Sequence, residues 1–163
     1  MAITIREVQG SDNRQLAKII TNVFEEYDAP KCGTVYSDPT TAQLFEAFQV
    51  PSAVLWVAEY EGDVVGCCGI YPTEGLAEGC AELVKYYMSD KTRGKGIGKE
   101  LLKKTIQSAK ELGYNQLYLE CLPNFTTAIA IYLKQGFVQV NERMGNSGHS
   151  SCNVWMIKDL INT

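Results

Sequence analysis

Gly79-Cys-Ala-Glu-Leu-Val-Lys-Tyr-Tyr-Met88 leads through four residues into Arg93-Gly-Lys-Gly-Ile-Gly98, and from there into a segment ending at Gly113. The first run is apolar enough for a strand. The last keeps Ile97, Leu101, Leu102, Ile106, Ala109 and Leu112 at helical spacing until Gly113 stops it. A strand, a turn with three glycines and a helix make an anion cradle. Glycine permits close backbone approach, and the first-turn amides and helix dipole favour negative charge. No Gly-Lys-Ser/Thr closes the segment as in a P-loop, and no G-x-G-x-x-G dinucleotide fingerprint occurs. Phosphate or pyrophosphate binding is the expectation; the alternative is a helix start that serves only as a turn.

Charge supports the cradle. Residues 1–89 carry five Lys/Arg against thirteen Asp/Glu, whereas residues 90–163 carry ten against six, giving −8 and +4. The excess lies in Asp90–Lys104, where Lys91, Arg93, Lys95, Lys99, Lys103 and Lys104 oppose Asp90 and Glu100. An acidic chain with one basic helix-opening segment suits a single anionic ligand better than nucleic acid.

Outward from this segment the chain alternates elements. Ile3–Val8 reads as a strand, and Ser11 or Asp12 can cap a helix through about Tyr27 with Leu16, Ile19, Ile20, Val23 and Phe24 on one face. A linker with Pro30, Gly33 and Pro39 leads to a shorter helix near Thr41–Phe48, broken by Pro51. Ala53–Tyr60 and Val64–Tyr71 are strands around a tight turn at Glu61-Gly-Asp63. Beyond the cradle helix, Asn115–Leu122 is a strand, and Asn124 can cap a helix carrying Phe125, Ala128, Ile129, Tyr132 and Leu133. Phe137–Arg143 and Cys152–Ile157 are strands joined by a polar loop. The order β-α-α-β-β-β-α-β-α-β-β argues an α/β (α+β mixed) architecture, one mixed sheet of about seven strands with helices on both faces.

The 163 residues, 45% hydrophobic and 21% charged, fit a single domain over 1–163. The longest apolar run, Ala53–Ala58, is far short of the roughly 20 residues of a membrane span. The N-terminus lacks the basic flank and apolar block of a signal peptide, so a cytoplasmic protein is expected. Cys32, Cys67, Cys68, Cys80, Cys121 and Cys152 form no C-x-x-C pair, which argues for reduced thiols and no metal site.

The sequence resembles the GCN5-related N-acetyltransferase (GNAT) family. Arg93-Gly-Lys-Gly-Ile-Gly98 is similar to its central motif, (Q/R)-x-x-G-x-(G/A), and Ala81–Met88 to its fourth strand. Ala128-Ile-Ala-Ile-Tyr-Leu-Lys-Gln-Gly-Phe137 is similar to the family's A-I-x-L-Y-x-K-x-G-F ending, so the likeness covers essentially the whole chain. The resemblance implies the GNAT fold, a mostly antiparallel sheet, and an acetyl-CoA-dependent N-acetyltransferase acting directly on a primary amine of a small molecule or peptide. The cofactor would lie in a cleft where the fourth and fifth strands splay. Its pyrophosphate would rest on Gly94, Lys95, Gly96, Ile97 and Gly98 with Arg93 nearby, and its pantetheine arm would pair with backbone around Tyr87 and Met88. The family often has an asparagine where Phe125 stands here; Asn124, one position off, is a candidate pantetheine contact or simply a helix cap. Many relatives are dimers, so a homodimer is a possible assembly.

Direct transfer needs a neutral amine, stabilisation of an oxyanion and a proton for the departing thiolate. Tyr132 matches the tyrosine that protonates the CoA sulfur; otherwise it is an ordinary buried aromatic. Glu82 stands where some relatives place a general base, and it is equally readable as a structural acceptor. Glu120 is its rival. His149, in a polar loop, is surface or a substrate contact, and Cys152 lacks the partners of a nucleophile. The acceptor wall would come from Glu25-Glu-Tyr-Asp28, Tyr36 and Asp38, with Tyr71 and Glu74 at the mouth. Their negative charge would favour a cationic amine, unless they are only a solvated helix end. A non-catalytic acyl-CoA-binding module and a phosphate-ligand protein unrelated to CoA are the other readings.

Overall fold

A computed structural model describes residues 3–161. Its elements are β1 (Ile3–Glu7), α1 (Asn13–Glu26), α2 (Leu44–Ala47), β2 (Val54–Tyr60), β3 (Asp63–Tyr71) and β4 (Cys80–Met88), then α3 (Ile97–Glu111), β5 (Gln116–Cys121), α4 (Thr126–Lys134), β6 (Val138–Val140) and β7 (Val154–Asp159). The sheet order is β1-β2-β3-β4-β5-β7-β6, with β4 and β5 parallel and every other neighbouring pair antiparallel. The predicted element order and mixed sheet are observed. At the β2–β3 hairpin Tyr60 pairs with Asp63, and the two turn residues, Glu61 and Gly62, have φ of 52° and 87°. Two positive φ values match the twist of the flanking strands, and glycine takes one of them without strain.

Consecutive tyrosines of β4 show how the helices flank the sheet. The Tyr86 hydroxyl donates to the Gly98 carbonyl of α3 at 2.7 Å, while the Tyr87 ring lies 5.9 Å from that of Phe24 in α1. Because strand side chains alternate, α1 and α3 lie on opposite faces. Phe24 is 1% exposed and also meets the rings of Tyr36 and Phe125, so one side chain joins α1, the linker and the approach to α4. Truncating such a side chain to alanine costs about 3–5 kcal/mol, and here it would loosen the wall of the cleft described below.

Three local readings are corrected. The helix expected over Thr41–Phe48 is one α-turn preceded by 3-10 turns at Val35–Ser37 and Pro39–Ala42. Asp38 accepts from the Thr40 amide and hydroxyl, and the Thr41 hydroxyl donates to the Val35 carbonyl. These side-chain bonds compete with a regular helix. The strand expected over Phe137–Arg143 ends at Val140, because Arg143 turns back to donate to the carbonyls of His149, Ser150 and Cys152. Neither expected cap forms through its side chain. Asp12 accepts from the Gln9 amide and holds Arg6 through two bonds of 2.8 and 2.9 Å. Phe125 rather than Asn124 occupies the cap of α4, and the Asn124 amide reaches the carbonyls of Tyr27 and Asp28.

Candidate active site

The parallel ladder between β4 and β5 lasts three rungs, Cys80–Gln116, Ala81–Leu117 and Glu82–Tyr118, and then stops. On its other side β4 stays paired with β3 as far as Met88. Beyond Glu82 the β4 edge that faces β5 is therefore open, and the strands part around a cavity of about 270 Å³. Leu83–Met88, Glu120–Leu122, Phe24 and Tyr27 of the α1 end, Phe125 with one face of α4 (Thr127, Ala128, Ile131 and Tyr132) and the loop residues His149 and Cys152 contribute to its walls. An open strand edge offers unpaired amides and carbonyls, the requirement for binding an extended amide-bearing chain.

At one end of the cleft lies the glycine turn. Gly94 and Gly96 adopt φ of 75° and 74°, and a Cβ on either would meet nothing within 4 Å. Backbone conformation, not crowding, makes these glycines necessary. Gly96 caps α3 with no side-chain bond, leaving the first-turn amides of Ile97, Gly98 and Lys99 without intrahelical acceptors. Amides, dipole and open space fit a phosphate. Gly94, Gly96, Gly98, Arg93 and Lys99 line the cleft; the Ile97 side chain is in the core, and the Lys95 ammonium lies 5.8 Å from the Tyr60 ring centre. Arg93 is held by Glu26 at 2.6 Å and stacks over Tyr27.

At the fork lies Glu82, 4% exposed, accepting a 2.6 Å hydrogen bond from the Thr73 hydroxyl. Burial pushes its carboxyl up to about 7, with Glu120 adding to the rise and Thr73, Lys85 and Arg143 opposing it. Glu120 is occupied differently. It accepts from the Tyr118 hydroxyl, Arg143 and Ser147 at 2.7, 3.1 and 2.6 Å. Three donors, one of them a guanidinium, make it a structural anchor for the 141–153 loop. Tyr132 stands on the cleft wall, 6% exposed, its ring 5.7 Å from Tyr86 and 5.8 Å from Phe137. Burial, with nearby thiols and tyrosines, raises its phenol well above the ordinary range, so it stays protonated.

The expected acceptor wall is only partly present. Tyr27 lines the cleft, but Glu26 is paired with Arg93, and Asp38 takes a 2.8 Å contact from His149 Nε2. Burial works against ionisation of Asp38, yet His149 and Thr40 hold its carboxyl at about 2. His149 thus bridges loop to linker, reinforced by Ser151, whose amide and hydroxyl donate to the carbonyls of Gly33 and Cys32. Tyr71 packs on Phe48 instead of the cleft, and Glu74 offers its carbonyl to the Asn146 amide. Cys152 reaches the cleft, but burial pushes its thiol up to about 12, far from a thiolate at neutral pH. Asn124 is outside the lining residues. Among the described residues no group of three or more His, Cys, Asp or Glu is arranged to hold a metal ion, and no helix is long and apolar enough to cross a membrane.

Three contributors escaped the sequence reading. Thr73 sits in a turn and Arg143 in the loop beyond β6, with nothing local to mark either. Lys85 did leave a signal: it is the one charge between Leu83 and Met88.

The acetyltransferase (GNAT) family model matches residues 20–137. The chain belongs to that family, and acetyl-CoA-dependent N-acetyl transfer is its activity. It is 37% identical over 158 residues to the uncharacterized N-acetyltransferase YjgM of Escherichia coli (strain K12), covering 96% of this chain and 94% of that one. In fold it is similar to an acetyltransferase of the GNAT family from Staphylococcus aureus Mu50, with a TM-score of 0.79, 23% identity and coverage of 98% and 99%. Its fold also matches yncA from Salmonella typhimurium, whose structure contains its cofactor acetyl-CoA, with a TM-score of 0.77, 18% identity and coverage of 100% and 96%.

Proposed function

We propose that this protein moves an acetyl group from acetyl-CoA directly to a primary amine of a small molecule or peptide, with Glu82 as general base and Tyr132 as general acid. The reading is carried by one feature: the β4–β5 ladder stops at Glu82, and the fork it opens holds that carboxyl, Tyr132 and the glycine cradle in one cleft. The amides of Gly94–Gly98 and the Arg93 guanidinium would hold the pyrophosphate, and the backbone of Tyr87 and Met88 the pantetheine arm. The bound cofactor supplies an activated thioester. Glu82, its carboxyl raised by burial to about 7, is suited to taking a proton from an ammonium near neutral pH. The Tyr132 phenol, kept protonated, donates to the leaving sulfur. The buried Cys67, Cys68, Cys80, Cys121 and Cys152 thiols are all free, consistent with a reducing compartment such as the cytoplasm.

The test is a mass-spectrometric screen of pooled amines with protein and acetyl-CoA. An amine gaining the mass of an acetyl group above the no-enzyme control is the expected result. No gain across the pool, with acetyl-CoA still raising Tm, would overturn transfer to small amines.

A further inference from the structure

The charged groups around the fork are nearly all matched by partners within the chain. Glu120 has Arg143, Asp38 has His149, and Glu82 has the Thr73 hydroxyl. Lys85 is the exception. Its side chain lines the cleft and is largely buried, yet among the described residues its ammonium makes no hydrogen bond or ion pair. Asp38 and Glu82 are close enough to act on it electrostatically, and burial works against its charge. A buried cation is costly unless something pairs with it.

The backbone adds a second, independent observation. Lys85 has φ of 59°, in the left-handed region that favours glycine, and it lies where the β3–β4 register slips between Cys67 and Gly69. Its carbonyl accepts from the Cys67 thiol instead of a strand amide. A long charged side chain at a position where glycine fits without strain indicates a use for the ammonium.

We infer that the acceptor carries a carboxylate beside its amine, an α-amino acid or a close analogue, and that Lys85 binds that carboxylate. This rests on the acetyltransferase reading above and names its substrate class. It also differs from the cationic acceptor expected from the acidic segment. Glu26 and Asp38 are engaged by Arg93 and His149, Glu25 and Asp28 do not line the cleft, and the buried cleft-lining charged group left without a partner among the described residues is Lys85. Glu82 and Lys85, three residues apart on β4, present one carboxyl and one ammonium to the same space, the complement of a zwitterion. The cofactor arm and the acceptor group must share the cavity of about 270 Å³, which suits a compact acceptor group.

The experiment compares matched sets: free amino acids, their carboxamides and the corresponding amines lacking the carboxyl carbon, each with acetyl-CoA and acetyl mass gain as readout. We expect kcat/KM for the acids to exceed that for the amides by about tenfold or more, the effect of one charge-assisted contact. Lys85→Gly and Lys85→Asn both suit the positive φ, so folding is preserved; Tm and the shift given by acetyl-CoA check this. In both, the acid-to-amide ratio should fall to near one, mainly through KM. Equal or better use of the amides by the unmodified protein, or a preference that survives both substitutions, overturns the inference while leaving the enzyme reading intact. Absence of acetylation in every set, with acetyl-CoA binding retained, overturns both.

Discussion

The hydrogen bond from Thr73 to Glu82 gives the sharpest test of the base. Replacing Thr73 with valine keeps the branched shape and removes the hydroxyl that donates at 2.6 Å to Glu82 Oε1. That bond opposes the burial that lifts the carboxyl to about 7, so its loss must lift the carboxyl further. A hydrogen bond to an ionised group contributes about 1.5–3 kcal/mol, which at about 1.4 kcal/mol per unit is roughly 1–2 units. The acidic limb of kcat/KM should then move from near pH 7 to about 8–9. The acceptor amine titrates too, but equally with both proteins, so the informative quantity is the ratio of the two profiles. Unmodified over Thr73→Val, it should lie near one above both breaks and rise to about 10–100 below both. The assay is initial velocity at saturating acetyl-CoA, from about pH 5.5 to about 9.5. A ratio flat across that range, or one rising toward alkaline pH, would refute Glu82 as the base.

Three further outcomes are expected. Glu82 also shapes folding stability: its carboxyl holds a proton in the native state up to about 7, whereas an unfolded chain loses it near the ordinary 4.5. Stability from this group is therefore full below 4.5 and lost as pH rises through 7, by up to about 3 kcal/mol. Urea melts at about pH 5 and about pH 8 should show that fall in the unmodified protein and its absence in Glu82→Gln; identical pH dependence would remove the buried carboxyl from the account. Tyr132→Phe should lower kcat by about 100-fold or more with acetyl-CoA affinity unchanged by calorimetry, and equal turnover would end its role as acid. Glu26→Gln releases Arg93 from a surface pair and should tighten acetyl-CoA binding by up to about fivefold, given about 1 kcal/mol for such a pair; weaker binding would show that Glu26 orients Arg93 instead of competing for it.

Much of the fold was legible because period and punctuation survive folding. Leu16, Ile19, Ile20, Val23 and Phe24 kept their buried stripe, and Gly113 and Gly136 follow the ends of α3 and α4 with φ of 93° and 95°. The failures share a cause. At Asp12, Asn124 and Arg143 a polar side chain that local rules would use for capping, or leave to solvent, is taken by a partner outside its own turn, and Asp38, which does cap the turn at Thr40, is also held by His149 from the far loop. Such competition is settled by which segments meet in space.

The sequence by itself determined the glycine turn, the amphipathic helices and the succession of elements along the chain, since each depends on residues within one or two turns of chain. Tertiary structure alone decided the state of the site. The raised carboxyl of Glu82, the pairing of Glu120 with Arg143, the contact of Asp38 with His149 and the unmatched Lys85 side chain all depend on burial and on partners many residues away. A charge's environment is set by what surrounds it in three dimensions, and no local pattern records that.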